Sequence, residues 1–570
     1  MTSVRLPLVR DRLTALVGDA VARAQRAGYL PSVAMPEIVI ERPSKPDQGD
    51  FATNFALRAQ RVVGAHGPKP MDIATAISAQ ITSLADTPDY LAGWEAAAPG
   101  FLNFTLNDRW VRAQVDVILA DGARFGSLDA ESKGRVQVEF VSANPTGPLH
   151  IGTARNAALG DSIARVLARA GWQVQREYYY NDAGTQMEHL ARSVWKRYQQ
   201  LLGKQVELGP DDYQGEYIVE LAREILAEQG DRFANVAEDG AAELGALAAR
   251  RIMDWIERDL SRARITFDNW FSEARVIREG DFLRVLTTLK ERGLVYEREG
   301  AQWLRSQDLG DERDRVLIRS DGRPTYTATD IAYHYDKFLV RKFDRVIDVW
   351  GADHHGQVPS MKAIVKALGV EPEQFDIVIH QMINVLEGGE VVRMGKRAGN
   401  FVLLSEVLDK VGVDATRWFL VSRTADTMMD FDLDLARKQS SENPVYYVEY
   451  AHARLAKVLR DADPSVDWRT GDVQLLIQPG ELALIRRMLQ LPETVELAAR
   501  QLAPHHIPHY AYELARATQA WYDAGNDDRS LRILVDDRAL QAARLKLAAA
   551  ARQVLANALD LIGVVAPDSM

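Results

Sequence analysis

At 570 residues, with 47% hydrophobic and 26% charged side chains, the chain is too long for one core and has the composition of ordinary globular protein, so about three or four domains are expected. It has no cysteine, which excludes disulfides and thiolate zinc sites, and no apolar run approaches the roughly 18 residues needed to cross a bilayer. A formal charge of -11 argues against coating nucleic acid by bulk attraction, so any such contact must be a local patch; a soluble, cytoplasmic protein is expected.

Residues 1 to 112 read as an N-terminal α/β unit. A helical period runs through Leu13, Leu16, Val17, Val21 and Ala24, and Glu37 to Glu41 alternates like a short strand. A turn at residues 46 to 50 leads into a helix with Asp50 or Thr53 as its cap, and Pro99 to Leu106 reads as the last strand. From about 135 the pattern becomes strand, helix, strand: Val136 to Val141, a helix after His150, then Val174 to Tyr180. The intervening Asn144-Pro-Thr-Gly-Pro-Leu-His-Ile-Gly152 is a tight turn opening a helix, whose free N–H groups and positive dipole end suit a phosphate. Taken alone, His150 is most simply an ordinary turn histidine.

The stretch from about 190 to 290 is charged and helical and reads as an insertion. Alternation resumes with a strand at Arg315 to Arg319, a segment from Tyr326 to Tyr335, a strand from Val346 to Trp350, Gly351-Ala-Asp-His-His-Gly356, a helix, and a strand from Ile377 to Ile383. Two βαβ halves split by an insertion make one Rossmann-type parallel-sheet domain over residues 113 to 404. A basic loop follows the last strand, Arg393-Met-Gly-Lys-Arg397. Beyond about 405 the periods are Ala/Leu-rich and helical, an all-α bundle of about five or six helices to the end of the chain.

Leu149-His-Ile-Gly together with Arg393-Met-Gly-Lys-Arg resembles the two signature motifs of class I aminoacyl-tRNA synthetases. Val138 to His150, Tyr179-Tyr-Asn-Asp-Ala-Gly184, Asp321 to Tyr333, Asn443 to Arg454, Gly49-Asp-Phe-Ala-Thr-Asn54 and the terminal Leu561 to Met570 resemble the arginyl-tRNA synthetases specifically. The resemblance spans essentially the whole chain. It implies an enzyme that joins arginine to ATP as arginyl-adenylate, releases pyrophosphate, and transfers arginine to the terminal ribose of its tRNA. ATP with Mg2+ is the expected substrate complex, with no zinc and no other resident metal, and a monomer is implied.

On this reading His150 contacts ATP phosphates, Gly152 lets the nucleotide pack on the turn, and Lys396 stabilises the departing pyrophosphate, with Met394 and Arg397 beside it. Two positions depart from the family pattern: Thr153 stands where a second histidine is usual, and Gly395 where a serine is usual. Arginine itself falls to Glu139, Asn144, Tyr326, Asp330 and His354, with Asp330 the best match for a paired contact to a guanidinium. Glu139 lies in an otherwise apolar strand, where a lone carboxylate is costly, and a cationic substrate would relieve that cost. The resemblance assigns tRNA contacts to the bundle, with Tyr446, Tyr450 and Arg454 as candidates, although Tyr at helical spacing is more often core and a Lys/Arg stride more often a solvated face. It likewise assigns the N-terminal unit to the tRNA elbow. The alternative is a synthetase-like tRNA-binding protein without catalysis, disfavoured by the joint presence of His150, Lys396, Glu139 and Asp330.

Overall fold

The centre of the molecule is a five-stranded, all-parallel sheet built from Arg135–Glu139 (β1), Gln173–Tyr180 (β2), Asn269–Ser272 (β3), Arg345–Gly351 (β4) and Phe375–His380 (β5). The spatial order is β5-β4-β1-β2-β3. The strand order reverses beside β1, where the helix Ile151–Arg169 (α1) begins; open α/β sheets bind ligands at such a point. The structure is a computed structural model that describes residues 8–64, 66–84, 88–128, 132–182, 184–278, 281–392 and 402–570.

Helix α1 packs closely against the chain leaving β1. A Cβ on Gly160 would sit 2.2 Å from the ring of Phe140, so the helix approaches the sheet at a distance that only glycine allows. Between β2 and β3 lie three long helices, Thr185–Leu201, Glu216–Gln229 and Ala242–Arg262, which bury Leu190, Val194, Leu221, Ile225, Ile252 and Ile256 among themselves.

The insertion read over 190 to 290 is therefore not uniformly helical: Asn269–Ser272 returns to the main sheet as β3, a four-residue strand too short to register as a period. The strand expected at Arg315 to Arg319 forms at Arg315–Ile318 but belongs to a separate antiparallel sheet with Val295–Arg298 and Ala301–Leu304. The single strand read from Ile377 to Ile383 is two. Phe375–His380 ends the parallel sheet, and Ile383–Glu387 pairs with Met429–Asp432, a strand beyond 405 that the helical periods concealed.

The N-terminal unit is a three-stranded antiparallel sheet of Phe51–Thr53, Phe101–Leu106 and Leu91–Ala97, backed by the helices Val9–Arg26, Phe55–Val63 and Pro70–Thr82. Glu37 to Glu41 forms no strand, its one ladder contact being the bridge from Glu41 to Ala52. Neither Asp50 nor Thr53 is the cap residue of the next helix, which is Asn54. Asp50 instead accepts from the Leu106 N–H and from Arg486 of the bundle, both at 2.7 Å. The C-terminal region packs Pro444–Asp461, Pro479–Met488, Leu491–Gln501, His506–Asp527 and Arg538–Asp560 as a helical bundle. Its helices meet the N-terminal unit through Arg42, which holds Glu493 by two bonds of 2.8 and 2.9 Å, and through Arg486 on Asp108 at 2.7 Å.

Candidate active site

The chain turns abruptly as it leaves β1. Val141 and Ser142 both adopt positive φ, 67° and 42°, which is costly for any residue with a Cβ and most of all for a β-branched one. Three side chains hold the turn: Asn156 accepts from the Val141 N–H at 2.6 Å, Ser142 donates to Glu139 at 2.9 Å, and the Tyr179 N–H donates to Ser142 at 3.2 Å. Tyr178 and Tyr217 then pin the loop by donating to the carbonyls of Ala143 and Thr146.

His150 is the N-cap of α1, and its ring lies 3.4 Å from the Thr153 N–H and 3.3 Å from the Thr153 hydroxyl. A Cβ on Gly152 would come within 3.1 Å of that ring, so glycine leaves His150 its place. Leu149 to Ile151 pairs with Val402 to Leu404: Ile151 donates to Val402 O at 3.0 Å and Leu404 to Leu149 O at 2.9 Å. The chain that follows the basic loop is thus seated against the start of α1. Arg393, Met394, Lys396 and Arg397 lie outside the described residues.

Arg155, the next cation on α1, is fully buried and spends its guanidinium on the carbonyls of Gln381, Thr424 and Thr427, so it is a strut rather than a phosphate ligand. Beside it, burial holds His380 down at about 4, hence neutral at physiological pH. Its Nδ1 faces Gln381 O and its Nε2 faces the Asn156 amide, so the neutral ring donates to the first and accepts from the second.

The arginine candidates gather at the other side of the turn. Register puts Asp348 of β4, Glu139 of β1 and Glu177 of β2 side by side across three adjacent strands, each nearly or fully buried. The helix Tyr326–Tyr335 (α2) lies over this row and carries Asp330, Tyr333 and His334; a single π-turn, Asp336–Val340, follows, and Lys337 within it is fully buried. Lys337 reaches Glu139 at 2.5 Å and Asp348 at 3.0 Å, and its Nζ sits 4.3 Å from the centroid of the Tyr333 ring. The Tyr333 hydroxyl lies 2.9 Å from Glu139 and 2.6 Å from Glu177. Arg341 grips Glu177 with both terminal nitrogens and Asp336 with Nε.

Glu139 is therefore not the lone carboxylate its apolar strand suggested. Ser142, Tyr333 and Lys337 take three of its roughly four lone-pair directions, leaving about one for a ligand. Burial raises its pKa, whereas in Asp348 the charge of Lys337 and the hydrogen bond from His334 outweigh burial and hold the carboxyl low.

Asp330 differs from the others. It is half-buried, among the described residues no Lys or Arg side chain pairs with its carboxylate, and desolvation with the charges of Glu273, Glu139 and Asp348 pushes it up to about 7 against the favourable influence of His334. A carboxylate so placed is relieved by a cation from outside. Glu273, buried at the end of β3 and hydrogen-bonded to Tyr179 and Asn181, is also pushed upward by burial. Asn144 donates to Gln186 at 2.7 Å and accepts from the Asn181 N–H at 3.1 Å, which leaves it one amide hydrogen. Tyr326 opens α2 one turn before Asp330 and is 71% exposed. His354 sits in the turn after β4 against Trp350 and Asp353, half-exposed.

Residue-by-residue reading missed Tyr333, Lys337, Arg341, Glu177, Asp348 and Glu273. One signal was present: Asp330, Tyr333, His334 and Lys337 fall at i, i+3, i+4 and i+7, a core-facing stride made of polar residues.

On the bundle, Tyr446 and Tyr450 stack with centroids 6.3 Å apart and planes 7° from parallel. Arg454 is folded back onto the protein: it meets Tyr450 OH at 2.9 Å, Asp523 at 3.3 Å and the Gln519 side chain, and lies over the Tyr450 and Tyr522 rings. Among the described residues no three His, Asp or Glu side chains are placed to hold a metal, and no helix is long and apolar enough to cross a membrane.

Three family models match the chain in order: the arginyl tRNA synthetase N-terminal domain over residues 11–106, the catalytic domain of class I tRNA synthetases (R) over 114–459, and the DALR anticodon binding domain over 448–570. An arginine–tRNA ligase of Dehalococcoides mccartyi is 43% identical over 564 residues, 99% of each chain. One from Syntrophotalea carbinolica is 45% identical over 567 residues, covering 99% of this chain and all of that one. In fold the chain is similar to the arginyl-tRNA synthetase of Thermus thermophilus, with a TM-score of 0.77 at 23% identity over 99% of this chain and 100% of that one. With its parallel sheet, its strained turn into a histidine-capped helix and its row of buried acids, the chain belongs to the arginyl-tRNA synthetases of class I.

Proposed function

We propose that arginine binds with its guanidinium on Asp330 and ATP lies across the turn from His150 to Thr153. The observation that carries this is the Asp330 carboxylate, which lacks a Lys or Arg partner among the described residues and stands at the sheet end where α1 begins. The chain is an arginine–tRNA ligase, and ATP is its second substrate. Adenylate formation needs reacting groups positioned and developing charge balanced more than it needs a protein nucleophile.

In this reading the free N–H groups of α1 and the His150 ring meet phosphate oxygens, and Thr153, within reach of His150, orients that ring. Asp330 fixes the side chain of arginine, Asn144 offers its remaining amide hydrogen, Glu139 its remaining lone pair, and Tyr326 and His354 close the rim. Met394, Lys396 and Arg397 approach the pyrophosphate from the other side, and Mg2+ arrives with the nucleotide. The proposal divides the chain at about 112 and 404, with the N-terminal unit on the tRNA elbow and the bundle, through Tyr446, Tyr450 and Arg454, on the anticodon arm. A cytoplasmic monomer belongs to the same reading.

The test is charging of tRNA with labelled amino acids, in wild type and in Asp330→Asn. Wild type charges with arginine, and the variant loses arginine affinity while keeping its KM for ATP. A variant that charges normally would remove Asp330 from the pocket.

A further inference from the structure

Lys337 is the residue of this site that binding alone does not explain. It is fully buried, its ammonium touches two carboxylates from different strands and the face of one aromatic ring, and it lies seven residues after Asp330. It continues the stride of Asp330, Tyr333 and His334, falling at i+7 on the helix face that meets the sheet. A π-turn closes the segment, its bond running from the Arg341 N–H to Asp336 O at 2.8 Å; Lys337 within it meets Glu139 and Asp348, and Arg341 at its end meets Glu177.

The sheet register offers three acids in a row, Asp348, Glu139 and Glu177. Left bare, that row would form an anionic floor on which a guanidinium could settle in several registers, and it would repel the ionised form of Asp330. Arg341 answers Glu177, and Lys337 answers the other two.

We infer that Lys337 is a positioning residue that sets the specificity of the pocket: by occupying Glu139 and Asp348 from inside, it leaves Asp330 as the ionised acceptor offered to a monocationic side chain. This rests on the reading of Asp330 as the guanidinium site. The groups that face Asp330 are His334 on its own helix, Glu139 on β1, Tyr179 on β2, Glu273 after β3 and Asp348 on β4. Those that face Lys337 are Glu139, Asp348, Glu177 and Tyr333. With the lysine present, its charge offsets Glu139 and Asp348, two of the three acids that face Asp330. Without it, Asp330 ionises against two uncompensated neighbours, and arginine binding suffers through Asp330 although Lys337 touches no substrate.

The experiment measures KM for arginine and for ATP across pH in wild type, Lys337→Met, Lys337→Met/Asp348→Asn and Asp330→Asn. For Lys337→Met the expected result is a rise of about tenfold in arginine KM near neutral pH, an acid flank of arginine affinity moved upward by about one pH unit, and an ATP KM within about twofold of wild type. Lys337→Met/Asp348→Asn removes one positive and one negative charge, so it returns the cluster to its original net charge and is expected to bring the flank back toward wild type. A Lys337→Met enzyme with the wild-type arginine KM and flank overturns the inference. Should Lys337→Met fail to fold, the double variant decides: a flank near wild type supports the inference, and one displaced upward overturns it. If Asp330→Asn leaves arginine KM unmoved, it is the pocket reading that has failed.

Discussion

Tyr333 with Lys337 in the pocket and Tyr450 with Arg454 on the bundle are the same arrangement of residue types: an aromatic ring, a cation four residues later on the same element face, and a carboxylate brought in from elsewhere. The cation lies 4.3 Å from the ring centroid in the first and 4.7 Å in the second, and the ion pairs are 2.5 and 3.3 Å. They differ in surroundings. The Lys337 side chain is 0% exposed and its partner Glu139 9%, against 24% for Arg454 and 57% for Asp523. Water can replace any partner lost from the second arrangement and none lost from the first. Burial therefore turns one pattern into a constraint on the fold and leaves the other as a surface contact, and spacing along the chain does not distinguish them.

The largest expected contrast comes from removing a cation from the buried network. Arg341→Met takes away the partner of Glu177, whose carboxyl burial alone would raise and which Arg341 holds low. It is expected to destabilise the protein by about 3–5 kcal/mol, because it strands a buried charge. Denaturant unfolding followed by fluorescence and by arginine binding would measure this. A loss below about 1 kcal/mol would mean that water reaches Glu177 and that the two regions are alike.

The next contrast is a matched pair of single-atom deletions. Tyr333→Phe removes a hydroxyl set between two carboxylates and is expected to cost about 1.5–3 kcal/mol, whereas Tyr450→Phe removes an exposed hydroxyl that accepts from Arg454 and should cost a few tenths, about 0.5 kcal/mol at most. Thermal unfolding of the two variants side by side checks it, and equal shifts would erase the distinction.

Asp330 gives the comparison a pH axis. Its folded pKa, pushed up to about 7, lies above the ordinary carboxylate value, so in the arginine-free protein its contribution to stability is present below that ordinary value and is lost as pH rises through about 7. Arginine reverses the sign, since a guanidinium pairs with the ionised form. Arginine affinity is thus expected to fall about tenfold per pH unit below about 7, and the rise in Tm that arginine produces should be larger at about pH 8 than at about pH 6. A Tm rise independent of pH would show that another group receives the guanidinium.

How much of this could be read from the sequence follows the same line. The turn into α1 was legible because phosphate-facing helix starts have local chemistry: an apolar strand, glycines and prolines, and His150 at the cap are contiguous. Asp330 was legible by its motif, but its state was not, because the state depends on Glu139, Asp348 and Glu273, which lie on three other elements. Glu139 misled for the opposite reason. Its apolar strand mates suggested an unpaired acid, while the lysine that pairs it comes 198 residues later on another element, and nothing local to the strand announces that partner. The strands Asn269–Ser272 and Met429–Asp432 were missed because four residues carry too few alternations to reveal a period, and tertiary pairing alone makes them strands.

The smallest effect is expected at Arg454, and it bears most directly on whether the bundle face meets tRNA. Arg454→Met keeps the apolar stem against Tyr450 and Tyr522 and removes a charge whose partners are Asp523 and the Gln519 side chain. Unfolding free energy should change by about 0–1 kcal/mol, and the effect should shrink further at about 1 M salt, where exposed charges are screened within about 3 Å, while the cost of Arg341→Met should not. With stability so little affected, a change in tRNA affinity can be read without correction for folding. If the KM for tRNA rises severalfold and its salt dependence weakens, Arg454 leaves Asp523 for a phosphate when tRNA binds. If neither changes, the ring stack and its arginine serve the packing of the first and fourth bundle helices, and the anticodon arm is held elsewhere.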